Sequence, residues 1–329
     1  MRLFYRFLLI VPWLILVFVG CVPPNNTPVE TATLPPPTPS HNLEFGDGSD
    51  LLDRVLERGV LRVGVRVWPD SALAAPVFRG ASNAATGGAL TGFEVDIAQK
   101  LAQQLGLELE LVEANPAFLL TGAWQNQWDI ALGAITPFDQ PLLSAQQPIF
   151  YSKSYGYLPM GMLVAQDNTD ISGLVDLANK RLAVINHSAY QAILAPRNLP
   201  LTVQGQPLSI PLPPETEQVA VSSLSLAIER LGQVDEIVEA NQENQHLDAL
   251  FGPTPMLEQA ISSGWAVKFA PHAVTVGYQP VSVAVVSQDG LKVDRLLQEI
   301  NRVLAQMDQD SDLLAIYLTW YDQDFSRVP

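Results

Sequence analysis

The side chains that could carry covalent or metal chemistry are few and badly placed for it. The one cysteine is Cys21, and the four histidines, His41, His187, His246 and His272, are scattered along the chain. No Gly-x-Ser-x-Gly elbow, no His-Glu-x-x-His pair and no nucleotide-binding glycine loop occurs. An enzyme built from this chain would have to work with Asp or Glu carboxylates. No cofactor or metal site is expected, and a single thiol leaves no intramolecular disulfide, so the fold must stand on its core alone.

The 329 residues are 48% hydrophobic, enough to bury two cores, and at about 100–200 residues per domain two folded units are expected. With 18 basic against 34 acidic side chains the formal charge is −16, the wrong sign for releasing counterions from nucleic acid. Arg2 and Arg6 precede an uncharged apolar run from Phe7 to Gly20, too short to span a bilayer, which predicts an export signal over residues 1–20. That run ends in Phe18-Val19-Gly20-Cys21, which resembles the bacterial lipobox and implies that Cys21 is lipidated and becomes the first mature residue. Residues 21–49 then hold the lipidated cysteine and a Pro/Thr-rich tether, a composition with too little apolar area to fold.

The elements that must position any site follow from periodicity. Leu51, Leu52, Val55 and Leu56 predict a short helix stopped at Gly59. Leu61, Val63, Val65 and Val67 alternate with Arg62, Gly64 and Arg66 and predict a strand. Ala98, Leu101, Ala102 and Leu105 have helical spacing, and Leu107, Leu109 and Leu111 form the next strand, giving a parallel strand–helix–strand unit. A further strand is expected over Asp129–Ile135. A second unit is expected from a short helix at Leu174, Val175 and Leu177 and a strand over Arg181–Asn186. Helices follow over Leu224–Leu231 and Val234–Asn241, then a strand over Leu247–Phe251. A Pro-rich surface insertion is expected near 205–215, and helices over Leu291–Met307 and Asp312–Tyr321 close the chain.

Six segments in order resemble the family 3 bacterial extracellular solute-binding proteins. They are LERGVLRVGV at Leu56–Val65, LTGFEVDIAQKLAQQLGLELELV at Leu90–Val112, WDIALGAIT at Trp128–Thr136, DLANKRLAVI at Asp176–Ile185, LDALFGPTPML at Leu247–Leu257 and INRVLAQMDQDSDLLAIYLTWY at Ile300–Tyr321. The resemblance implies an α/β chain with the two-lobed, type II periplasmic-binding-protein fold, two crossover strands and a ligand cleft between the lobes. Lobe 1 would be 50–155 with 274–320, and lobe 2 would be 161–267. It further implies the monomeric receptor of an ABC importer, whose partners are a small polar solute such as an amino acid, an ABC permease and the membrane that holds its lipid.

The resemblance also assigns residues to the cleft. Phe78 matches the family's ring-stacking aromatic, with Trp68 close by in sequence; Thr136 matches a hydroxyl in lobe 1. Ser188 and Tyr190 fall in the loop before a lobe-2 helix, and Thr254 follows the position of the family's aspartate. Each has a plainer reading beside it: Phe78 and Trp68 as core aromatics, Thr136 as a turn cap, Ser188 as an N-cap, Glu94 and Asp96 as structural caps of their helix, His187 as a solvated loop residue. The family's carboxylate-binding arginine is missing, since Pro141 or Asp139 stands at its position and no Lys or Arg occurs between Lys100 and Lys153; Pro253 replaces the aspartate. A zwitterion would then be desolvated without ion partners, and Asp139 with Trp68, Phe78 and Trp124 suggests a cationic ligand instead. Two other functions stay open: a cleft enzyme of the dehydratase type on the same fold, and a ligand-sensing module for a membrane receptor.

Overall fold

Asp50 and Gly59 frame the first element. The Asp50 carboxylate accepts from the Leu52 amide at 2.9 Å, and Gly59 takes a left-handed φ of 71° that closes helix α1 (Leu51–Arg58). The computed structural model describes residues 43–80, 88–124, 126–140, 142, 146–194, 201–231 and 246–328. The expected leader, Cys21 and the tether as far as residue 42 lie outside the described residues, as does the helix expected over Val234–Asn241.

After α1 come β1 (Val60–Val65), the short pair β2 (Phe78–Arg79) and β3 (Leu90–Thr91), α2 (Phe93–Leu105), β4 (Glu108–Glu113), α3 (Pro116–Thr121) and β5 (Ile130–Leu132). Strand β1 is flanked by β4 and β5, both parallel to it. The long β6 (Ile149–Ala165) carries the chain into a second half: β7 (Arg181–Ile185), α4 (Ala189–Leu194), the hairpin β8 (Thr202–Val203) and β9 (Gln206–Pro207), β10 (Glu217–Val221), α5 (Leu224–Arg230), β11 (Ala249–Pro253), α6 (Thr254–Ser262) and β12 (Val267–Phe269). Strand β13 (Gly277–Val286) returns antiparallel to β6, and α7 (Asp294–Gln309) and α8 (Asp312–Tyr321) complete the first half.

The result is an α/β fold on one curled, mixed sheet in the order β10-β7-β11-β6-β13-β5-β1-β4, with β12 on β6. β6 and β13 are the two crossing strands. Tyr155 and Leu158 of β6 belong to one hydrophobic core, with Val63, Ile97, Leu101 and Ile300; Met160 and Met162 belong to another, with Val184, Leu224 and Phe251. Each fully buried aliphatic side chain contributes roughly 1.5–3 kcal/mol before chain entropy is counted. Trp68, Leu73, Ala75 and Phe138 from the first half sit in the second half's core, so the halves meet through apolar contact as well as through the crossing strands.

Three elements differ from expectation. β5 spans only Ile130–Leu132: Asp129 lies just before it with its amide on the Arg62 carbonyl and its carboxylate in ion pairs, and Ala134 takes a left-handed φ of 52° that breaks the extended run. The short helix expected around Leu174 is a single 3-10 turn, Leu174–Asp176, whose Val175 is exposed. The first residues of the Pro-rich stretch form β9 of a hairpin. No helix among the described residues is long and apolar enough to cross a membrane.

Candidate functional site

The parallel strands of both halves point their carboxyl ends at one seam, the usual location of ligand sites in open α/β sheets. β1 delivers Arg66 there, β5 delivers Gly133–Thr136, β7 delivers Asn186–Ser188, β10 delivers Ser223 and β11 delivers Thr254. Arg66 is 7% exposed. Its Nη1 donates to the His187 carbonyl at 2.6 Å, and its Nη2 donates to the Asn186 carbonyl at 2.7 Å. Its guanidinium carbon lies 4.5 Å above the Trp68 ring. Among the described residues no carboxylate is within ion-pair distance of Arg66. Burial pushes its guanidinium down to about 10, against the opposing fields of Tyr190, Asp70 and Glu94.

The nearby carboxylates are otherwise engaged. Asp70, buried, accepts from the Ser223 hydroxyl at 2.7 Å and from the amides of Ser225 (2.9 Å) and Leu224 (3.3 Å), capping α5 of the opposite half. Glu94, wholly buried, accepts from the Ala134 amide at 2.7 Å and from the Tyr155 hydroxyl through Oε1. Burial raises the Glu94 carboxyl, and the Tyr155 hydroxyl and neighbouring amides only partly oppose it. Gln279 on β13 donates to the Ala134 carbonyl (2.8 Å) and to the Thr136 hydroxyl (3.0 Å), which ties β13 to the β5 exit loop.

Four buried polar atoms in this neighbourhood have no hydrogen-bond partner among the described residues: Trp68 Nε1, Tyr190 Oη, Glu94 Oε2 and Gln279 Oε1. An orphaned buried polar atom costs about 1–3 kcal/mol, so a cluster of them marks a place that a solute or water should complete.

The residues assigned from sequence fall out as follows. Trp68 is buried beneath Arg66, while Phe78, half-buried, stands edge-on to Trp320 at 5.9 Å between ring centres. Thr136 is buried and accepts from Gln279. The Ser188 hydroxyl donates back to the Ile185 carbonyl at 2.6 Å, and Tyr190 packs edge-on to Phe251. Thr254 donates to the Val274 carbonyl at 3.1 Å. Asp139 lies at an exposed part of the seam, where it accepts from the Thr202 hydroxyl (2.6 Å) and from the amides of Gln204 (2.9 Å) and Gly205 (2.8 Å). Those donors, the Thr202 hydroxyl first, hold its carboxyl below the usual range.

Trp124 packs on Trp128 in a separate small cluster with Ala131 and Ala284, away from the other aromatics. The grouping that suggested a cationic ligand therefore does not form, and the cation of Arg66 already occupies the face of Trp68. Glu94 and Asp96 do not cap their helix: Glu94 holds the β5 exit loop, and Asp96 accepts from the Trp320 indole at 2.7 Å. His187 does expose its side chain, but its carbonyl serves Arg66.

Sequence reasoning looked for a cation between Lys100 and Lys153 and so missed Arg66. The signal was present, since Arg66 is the first residue past the carboxyl end of the opening strand. Asp70 gave no signal, because its partners lie some 150 positions along the chain.

Comparison with known proteins agrees with this architecture. The family model for bacterial extracellular solute-binding proteins, family 3, matches residues 79–323. The probable amino-acid-binding protein YxeM of Bacillus subtilis is 20% identical over 73% of this chain and 79% of its own. A probable amino-acid ABC transporter-binding protein of Haemophilus influenzae is 20% identical over 86% of this chain and 93% of its own. Among solved structures, the ancestral amino acid-binding protein AncCDT-1, described as a precursor of cyclohexadienyl dehydratase, superposes with a TM-score of 0.58 at 21% identity, covering 82% of this chain and 99% of that one. With a fold of the type II periplasmic-binding kind and a family match across most of its folded part, the chain belongs to the family 3 bacterial extracellular solute-binding proteins.

Proposed function

We propose that this protein is the membrane-tethered solute receptor of an ABC importer and that it closes its two halves over a small polar solute, an amino acid or a related compound. The reading takes 1–20 as a cleaved leader, 21–49 as the lipidated Cys21 and its tether, 50–155 with 274–320 as lobe 1 and 161–267 as lobe 2. The observation that carries it is the seam itself. Strand ends from both halves bring a buried guanidinium and four unpartnered polar atoms together where a hinged pair of lobes would enclose a ligand.

A solute that touches both faces stabilises the closed arrangement by its preference for that state. Trp68, Tyr190, Thr136, Ser188 and Thr254 would line the enclosed space, Phe78 its edge, and Asp139 would latch the rim. Because Trp68 lies in the seam, its fluorescence should report closure. Titrating the purified full chain in detergent with a solute library should give a saturable fluorescence change and a thermal upshift, about 2.7 kcal/mol at one hundred times the dissociation constant. A flat response to every solute would refute the reading. Mass spectrometry of membrane-extracted protein should find acyl chains on Cys21, and Cys21→Ser should release the protein to the soluble fraction.

The dehydratase-type alternative draws on Glu94, whose raised carboxyl and free Oε2 are what a general acid would need. Product formation that disappears in Glu94→Gln, with solute binding retained, would favour it over the receptor.

A further inference from the structure

We infer that the solute of this cleft is a small carboxylate bearing a hydroxyl or oxo group and no ammonium, held by Arg66. This deepens the receptor reading above and rests on it.

The argument begins from charge. Arg66 is a buried cation whose present partners are two neutral carbonyls on the opposite half and an aromatic face. Taking a guanidinium out of water costs several kcal/mol, and a fixed carbonyl recovers less of that than an anion does. A carboxylate can meet a guanidinium through two parallel hydrogen bonds. The donors around Arg66 add to the preference for an anion: the Trp68 indole N–H is buried and unpartnered, and so is the Tyr190 hydroxyl, which lies close enough to feel the field of Arg66.

The same neighbourhood offers an ammonium group very little. Asp70 is consumed by three donors from the start of α5. Glu94 is wholly enclosed, one of its carboxylate oxygens is taken by the Ala134 amide and the Tyr155 hydroxyl, and burial raises its carboxyl, which weakens its pull on a cation. Pro253, which ends β11 at the seam, brings no polar side chain there. What remains on the acceptor side is Gln279 Oε1, neutral and unpartnered, its amide nitrogen fixed by Ala134 and Thr136. This loop lies against Arg66, since a Cβ added at Gly133 would sit 3.1 Å from the Arg66 Cβ. A neutral acceptor beside an anion site suits a hydroxyl, and a neutral donor such as the Tyr190 hydroxyl suits an oxo group.

The test is calorimetric titration of the full chain in detergent with three probes on one carbon skeleton: 2-hydroxybutanoate, 2-oxobutanoate and 2-aminobutanoate, with glutamine and arginine as further amino acids. The hydroxy or oxo acid should bind at least tenfold tighter than the amino acid. Arg66→Met should weaken that binding at least a hundredfold, and Arg66→Lys should restore part of it, which guards against a variant that fails only by misfolding. Tighter binding of 2-aminobutanoate, glutamine or arginine than of the hydroxy and oxo acids would overturn the proposed solute class and leave the receptor reading intact. Binding of the hydroxy acid unchanged by Arg66→Met would overturn the role of Arg66. Absence of binding by all five probes and by the solute library would overturn both readings together.

Discussion

Two buried charges near the β1–β5 side of the sheet have opposite settings. Asp129, just before β5, is fully enclosed and accepts from the Arg62 amide at 2.9 Å, from the Arg62 guanidinium at 3.3 Å and from the Arg58 guanidinium. Arg66, just after β1, is nearly as buried but has no anion within ion-pair distance among the described residues. The first charge ties α1, β1 and the start of β5 together. The second carries a desolvation cost that the fields of Asp70 and Glu94, neither of them in ion-pair contact, only partly offset. A buried charge with every partner in place is a structural fastening, whereas one left short of a counter-ion at the ends of strands is a site prepared for a solute.

The largest effect should come from breaking the complete set. Asp129→Asn leaves Arg58 and Arg62 facing a neutral group and should cost about 3–5 kcal/mol, read as a lower midpoint in chemical denaturation. A loss under 1 kcal/mol would show that the triad is solvated and not structural. Asp70→Ala comes next. It strips the cap from α5 and removes three hydrogen bonds between the halves, for an expected loss of about 2 kcal/mol. Because Asp70 joins the halves, scattering measurements should also show a more open average form.

Glu94 sharpens the contrast through pH. Its carboxyl is raised in the folded protein above the usual value of 4.5, so the native state binds more protons than the unfolded one once pH exceeds that value. The stability it contributes is complete below about pH 4.5 and is lost as pH rises through the folded value. Glu94→Gln should flatten that decline in thermal midpoint, and an identical pH profile would contradict it. Asp139→Ala should do least. Its carboxylate is exposed, and water replaces the lost donors, so the midpoint should not move measurably.

The regular elements were legible because their signals are local. Alternating Leu61, Val63 and Val65 fix β1; the helical spacing of Ala98, Leu101 and Leu105 fixes α2; and Leu296, Ile300, Leu304 and Met307 mark the buried face of α7. The site was less legible because its contacts are long-range. In the alternating pattern Arg66 looks like one more outward polar residue, and only the return of the chain with Asn186 and His187 buries it. Asp139 was one of the two positions, with Pro141, that the resemblance offered for a missing arginine, yet its role is set by Thr202 and the β8–β9 hairpin more than 60 positions later. Trp124 reads as a cleft aromatic until Trp128, four residues on, takes it into a core. Asp129 had the pattern of a strand residue, and its amide does donate to the Arg62 carbonyl, but nothing local in the sequence marks the two arginines that claim its carboxylate.

The central claim, that Arg66 is a charge kept for the solute and not for the fold, is tested most directly by calorimetric melting of wild type and Arg66→Met with and without saturating 2-hydroxybutanoate. The account predicts that the ligand-free variant melts within about 2 kcal/mol of wild type, since a methionine buries well where a lone charge did not, and that the ligand-induced upshift vanishes. A variant that loses as much stability as Asp129→Asn, or one that keeps the full upshift, would contradict it.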